Sequence, residues 1–424
     1  MFERPVFGAK MPMKILFVHQ NFPGQFKHLV PALRARGDQL AVLCMNSFVP
    51  GPGHEDMPVL RAKLTRGNTP GIHPWLSDFE SKVLRAEATY RQARALKAQG
   101  FEPDVIVAHH GWGESLFLRD VWPQARVGLY CEFFYALDGA DSNFDAEFPP
   151  QAGEDDACRM RLKNANNWLH FSFAQAGLSP TQWQASTFPP PWRDRITVIH
   201  DGIDCKAVAP NAAAQLRFKD GTTLGKTDEV ITFVNRNLEP YRGYHIFMRA
   251  LPELLRRRPN AHVLIVGDKG VSYGAPPAKG SSWREIFWNE VKDSVDTKRV
   301  HFLGQLPYAL YLALLQVSSV HVYLTYPFVL SWSLLEAMSI GCAIVASDTA
   351  PLREAIHHGE TGRLVPFFDG ARLVDEVCAL LESPAERSRL GANARAFALQ
   401  HYDLRSKCLP QQLTWIDQLE TLSL

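Results

Sequence analysis

Arg236 and Arg242 stand six residues apart in "FVNRNLEPYRGYHIF" (233–247), one ending an apolar run, the other just before Gly243 and a helix-forming stretch. Two guanidinium groups beside a helix start can cradle a diphosphate. Arginine meets phosphate oxygens with paired N–H donors, and the unpaired amides of a helix N-terminus add positive potential. Two solvated arginines would read the same if they stood alone. A second stretch, "TYPFVLSWSLLEAMSIG" (325–341), weighs against that plainer reading. It carries one charge, Glu336. The amides around Ser331, Trp332 and Ser333 open its helix and suit a phosphate, and Glu336 in the first turns can accept two ribose hydroxyls. A glutamate placed only to favour the helix dipole is the alternative.

Two further stretches follow apolar runs in the first half of the chain. "NFPGQF" (21–26) contains Gly24, which lets the backbone approach a ligand and opens a helix, or simply makes a turn. The GxGxxG fingerprint of nicotinamide and flavin binding is absent. "AHHGWGES" (108–115) sets two histidines, a tryptophan and two glycines together, so His109 or His110 could bind a sugar hydroxyl or carbonyl oxygen. No further Cys or carboxylate stands at metal-ligand spacing nearby, so no metal site is expected.

The surrounding elements place these residues at strand ends. "KILFVHQ" (14–20), "DQLAVLCM" (38–45), "DVIVAHH" (104–110), "ARVGLYCEFF" (125–134) and "RITVIHDGID" (195–204) read as strands, with helices at 26–37 and 77–100. Strand–helix–strand units imply a parallel sheet covered on both faces. The rhythm restarts with strands at 229–237, 261–268, 299–306, 319–326 and 342–348, a helix at 243–259 and a Gly/Pro/Ser loop at 270–283. The fold class is therefore α/β, two doubly wound Rossmann-like halves joined near 205–228. Such sheets bind ligands at the carboxyl ends of their strands.

Composition agrees. The 424 residues suggest two domains, and 46% hydrophobic residues supply large cores. A formal net charge of +1, from 45 basic and 44 acidic residues, argues against nucleic acid as partner. Seven scattered cysteines without a CxxC pair read as reduced thiols. "MFERPVFGAKMPM" (1–13) is too short and polar for a signal peptide and reads as a leader, and no run reaches membrane-spanning length. A cytoplasmic enzyme is expected, with the basic helix at 84–97 allowing peripheral contact at the inner membrane face.

Together these residues resemble glycosyltransferase family 4 of the GT-B superfamily, from about Lys14 to Tyr402 and most clearly from Val230 to Pro366. The resemblance rests on "RNLEPYRG", on Gly267 after the next strand, on "FLG" (302–304) with Leu303, and on "LLEAMSIG", "SDTAPLREAI" and "HGETGRLV". It implies two Rossmann-like domains facing across a cleft. The first, 14–205, would hold the acceptor; the second, 206–402, would hold the nucleotide sugar; and 403–424 would pack back on the first. By the same resemblance Arg236 and Arg242 bind the diphosphate, Glu336 holds the ribose, Gly24 belongs to the glycine loop and His109 stands near the transferred sugar. The implied activity is retaining transfer from a UDP- or GDP-sugar to a glycan, lipid-linked or small-molecule acceptor, with no metal or other cofactor. The segments 131–145 and 166–173 offer aromatics and carboxylates for the acceptor. One departure stands out: the family's first glutamate, eight residues before Glu336, is replaced by Phe328. A sugar-nucleotide epimerase on the same fold, or a non-catalytic partner subunit, are the competing expectations.

Overall fold

The computed structural model describes residues 11–48, 53, 57–149 and 155–424; positions 1–10 of the expected leader lie outside them. The described residues form two units. One comprises residues up to Leu137, then Gln151–Asp201 and Cys408–Leu424; the other comprises Asp138–Pro150 and Gly202–Lys407.

The first unit runs β1 (Lys14–Val18), α1 (Leu29–Arg36), β2 (Gln39–Cys44), β3 (Val59–Arg61), α2 (Ser77–Ala98), β4 (Val105–His109), α3 (Leu118–Val121), β5 (Arg126–Tyr130), α4 (Asp156–Phe171), β6 (Ala176–Ser179), α5 (Gln182–Ser186) and β7 (Ile196–Val198). Its described strands make a parallel seven-stranded sheet in the order β3-β2-β1-β4-β5-β6-β7. The central strands KILFV and VIVAH are buried almost throughout, as strands covered on both faces must be. Phe17, Leu33, Val107 and Tyr130 pack on one face; Leu16, Ile106, Leu129 and Trp192 pack on the other. Most of 166–173, the stretch that offers aromatics to an acceptor or simply core, lies in helix α4, where Asn166, Asn167 and His170 are buried.

The second unit opens with an antiparallel pair, β8 (Gln215–Arg217) and β9 (Thr223–Gly225), inside the stretch read as a joint. There follow β10 (Val230–Asn237), α6 (Tyr244–Arg257), β11 (His262–Asp268), α7 (Trp283–Val291), β12 (Val300–Gly304), α8 (Tyr308–Val317), β13 (Val320–Tyr323), α9 (Trp332–Ile340), β14 (Ile344–Ser347), β15 (Arg363–Val365), α10 (Gly370–Glu382) and α11 (Pro384–His401). Its parallel sheet is ordered β12-β11-β10-β13-β14-β15. The closing helix α12 (Leu409–Thr421) belongs to the first unit, where Trp415 and Leu419 fill the space that a side chain at Gly128 would take.

The strap 138–149 was read with the first domain, yet it packs into the second unit. Tyr326 donates to Asp145 Oδ2 at 2.6 Å, and His245 Nε2 lies 3.0 Å from the same oxygen. Burial works against the Asp145 charge, but hydrogen bonds from His245 and Tyr326 outweigh it and hold the carboxyl below its ordinary range. Arg249 grips Glu147 with two nitrogens at 2.7 Å each. Phe144 packs on Tyr326 and Phe367, and Phe148 on His245 and Phe287.

Candidate active site

Each sheet reverses its strand order beside its first long strand: between β1 and β4 in the first unit, and between β10 and β13 in the second. Open parallel sheets part there, leaving a crevice at the carboxyl ends. Gly24 and His109 stand at the carboxyl ends of β1 and β4, and Arg236, Arg242, Phe328, Ser331 and Glu336 follow β10 and β13, whereas Gly267 and Leu303 lie on β11 and β12.

In the second unit, Arg236 ends β10 in an exposed position and, among the described residues, meets no partner. Arg242 is different. Only 5% of it is exposed. Its Nη1 donates to Thr325 Oγ1 at 2.8 Å and to the Val329 carbonyl at 3.3 Å, and its guanidinium lies 5.0 Å from the Tyr273 ring centre. Burial opposes its charge, but Tyr323 and Tyr273 hold its pKa above the ordinary value. Gly243, at φ 67°, lets the chain turn into α6; a side chain there would strike Leu324 at 2.3 Å. The arginine at β10 is thus tied to the loop leaving β13.

That loop carries Phe328, buried against Tyr241 and Tyr273 with ring centres 5.2 and 5.1 Å away. Where the family resemblance expects a carboxylate, an aromatic wall stands. Tyr273 is held in place by Glu239, which sequence reasoning missed: its buried carboxylate accepts from the amides of Ser272, Tyr273 and Gly274 at 3.0, 3.2 and 3.1 Å. Ser331 caps α9, accepting from the Ser333 amide, while its own amide donates to the Tyr323 hydroxyl at 3.1 Å. Trp332 begins the helix and packs partly buried on the core with Leu303 of β12. Gly267 lies near the end of β11. Glu336, within α9, is nearly buried. Tyr308 and Tyr311, also missed from sequence, donate to its two oxygens at 2.7 Å each.

In the first unit, His19 follows β1 and His109 ends β4, their rings 5.2 Å apart. His109 lies between Trp112, stacked at 4.0 Å, and Tyr130 at 5.5 Å. Its nitrogens make no hydrogen bond among the described residues, and Nε2 stands 3.5 Å from Glu132 Oε2. Gln25 joins the cluster, 2.7 Å from His19 Nε2 and 3.4 Å from Glu132 Oε1. Burial, then the neighbouring His109, push His19 down to about 3, so its ring is neutral at pH 7. Gly24 sits against this imidazole: a side chain there would meet the His19 ring at 2.3 Å. Gly24 opens a short 3-10 helix, Gly24–Phe26, and the α-helix begins at Leu29. His110 points elsewhere, fully buried 5.2 Å from His170, where burial holds its pKa well down. His19 stands just past an apolar run, Glu132 lies in the segment 131–145 whose carboxylates were offered to the acceptor, and Gln25 lies in the "NFPGQF" loop; what the sequence does not show is that the three meet.

The family described as Glycosyl transferase family 4 group matches residues 36–208, and Glycosyl transferases group 1 matches residues 215–397. The chain belongs to glycosyltransferase family 4. It is a glycosyltransferase with the two Rossmann-like units of the GT-B fold. Among similar proteins, a D-inositol 3-phosphate glycosyltransferase of Corynebacterium efficiens is 28% identical over 305 residues, 70% of this chain and 67% of that one. A phosphatidyl-myo-inositol mannosyltransferase of Mycobacterium leprae is 32% identical over 205 residues, 47% of each chain. Sucrose-phosphate synthase of Thermosynechococcus elongatus shares the fold at TM-score 0.73 and 17% identity, covering 97% of this chain and 100% of the other. Anabaena HepE, solved with UDP and glucose, does so at 0.64 and 18%, covering 96% and 100%. Among the described residues no helix is long and apolar enough to cross a membrane.

Proposed function

We propose that this glycosyltransferase moves a sugar from a UDP- or GDP-sugar to a polyol-bearing acceptor, retaining the anomeric configuration and needing no metal. The observation that carries the reading is the second unit's crevice. There Arg236 and Arg242 flank the end of β10, Ser331 opens α9, and Glu336 lies one turn along that helix. Negative charge grows on the leaving diphosphate as the glycosidic bond breaks, and preorganised cations and amides stabilise it most where water is excluded. In this reading the two arginines do the work of a metal, and Glu336 holds the ribose. The acceptor proton passes to the departing phosphate, because the family resemblance supplies no enzymic nucleophile.

The first unit would receive the acceptor. His19, Gln25, His109 and Glu132 offer donors and acceptors to hydroxyl groups around an imidazole that stays uncharged at neutral pH. The relatives named for inositol phosphate and phosphatidylinositol favour an inositol ring as that polyol. The test is to supply UDP- and GDP-sugars with inositol phosphate or phosphatidylinositol, with and without EDTA, and follow the anomeric proton by NMR. An α-linked product from an α-linked donor, formed equally in EDTA, is expected. An inverted product, or activity abolished by EDTA and restored by a divalent cation, would refute the corresponding part.

A further inference from the structure

The carboxylate of Glu336 is held by two phenols. Helix α8 begins right after Pro307, and Tyr308 and Tyr311, three residues apart, share one face of it. Tyr311 is buried, and a buried phenol needs an acceptor. Both phenols choose the same side chain but different oxygens: Tyr308 bonds Oε1 and Tyr311 bonds Oε2, each at 2.7 Å. The two rings stand 5.8 Å apart. Burial, and then the Glu336 charge, keep both phenols protonated and donating.

A glutamate has three side-chain torsions, and the last is broad. Two donors on opposite oxygens fix the plane of the group. About four lone-pair directions exist on a carboxylate, so roughly two remain for a ligand. Tyr311 closes the inner side, being 9% exposed, whereas Tyr308 is 55% exposed and marks the open side. The free lone pairs therefore present themselves as a preset pair to two adjacent hydroxyls.

We infer that Tyr308 and Tyr311 are positioning residues that preset the Glu336 carboxylate for a vicinal diol, so that the enzyme distinguishes ribonucleotides from deoxyribonucleotides at this point. The inference rests on the proposed nucleotide-binding role of the second unit.

Titration of UDP, GDP and their 2′-deoxy forms into wild type, Tyr308→Phe and Tyr311→Phe tests it. A hydrogen bond to a charged group is worth enough for wild type to favour the ribo form by at least about tenfold. Each phenylalanine variant is expected to cut that ratio to about twofold, while affinity for the deoxy form stays within about twofold of wild type. Folded variants that keep the full ratio would overturn the inference and leave the nucleotide site standing. A wild type that binds neither UDP nor GDP would overturn the nucleotide reading, and the tyrosine role with it. Tyr308, at the open surface, keeps the test available if Tyr311→Phe fails to fold.

Discussion

The two crevices share one topology and differ in how they treat charge. At the first, between β1 and β4, rings and an amide gather around one carboxylate: His19 is buried and neutral, His109 lies between Trp112 and Tyr130, and Glu132 stands beside His109 and Gln25. At the second, between β10 and β13, an exposed arginine, a buried arginine and a glutamate gather, and the buried ones are already hydrogen-bonded by Thr325, Tyr308 and Tyr311. Desolvating an ion is costly unless partners stand ready. A fold that spends so many partners on Arg242 and Glu336 is suited to a charged ligand. A fold that silences a histidine by burial is suited to neutral hydroxyls.

The sharpest way to break this contrast is to remove the buried cation. Arg242→Ala should lower turnover by roughly 100-fold, the cost of one preorganised donor, and also lower the melting temperature because Thr325 and the Val329 carbonyl lose a partner. Arg236→Ala should lower turnover while leaving melting unchanged, since the side chain is exposed and makes no hydrogen bond or ion pair among the described residues. Steady-state kinetics beside a melting curve separate the two; equal melting losses would erase the distinction between them.

Acid should act on the first crevice through His19. In the first unit, burial depresses His19 and His200 to about 3 and His170 to about 4. In the second unit, His321 falls to about 4. A histidine whose folded pKa lies below its unfolded value stabilises fully above pH 6.5, and that contribution is lost as pH falls toward the folded pKa. At pH 4.5 His19 alone forfeits on the order of 2 kcal/mol. Hydrogen-exchange protection in β1, corrected for intrinsic rate, should therefore drop less between pH 7 and 4.5 in His19→Gln than in wild type, a comparison in which the opposite contribution of Glu114, raised to about 7 by burial, cancels. An equal drop in the two proteins would mean that the first crevice is not held by a neutral His19.

The smallest effect concerns the acceptor. His109→Ala should raise the acceptor KM about tenfold and leave the donor KM unchanged, as the loss of one hydrogen-bonding ring predicts. A change confined to the donor KM would exchange the roles of the two crevices.

The sheets were legible because their strands are unbroken apolar runs: KILFV, VIVAH and VITFV each announce a strand buried on both faces. The strand ends were legible for the same reason, so Arg236 and His109 could be named before their surroundings were known, and Glu336 stood out as the one charge in an apolar stretch. What sequence could not carry was pairing at a distance. Glu132 meets His109 from another strand's end, and Tyr311 meets Glu336 from another helix. The strap at 138–149 reads as a loop of the half in which it lies, yet Asp145 finds Tyr326, 181 positions on. Tyr308 and Tyr311 sit in an apolar helix with the spacing of core residues, and only the carboxylate opposite gives them a task. Phe328 was seen as a missing carboxylate. Its positive role, a wall with Tyr241 and Tyr273 beside Arg242, appears only in three dimensions.

The most direct test is calorimetric titration of UDP and GDP into wild type and Glu336→Ala. The account predicts that one nucleotide diphosphate binds the wild type and that the variant, still folded, binds it at least about tenfold more weakly, the loss of a charged acceptor for two hydroxyls. Equal affinity in the two proteins would contradict the claim that the second unit holds its ligand by Glu336.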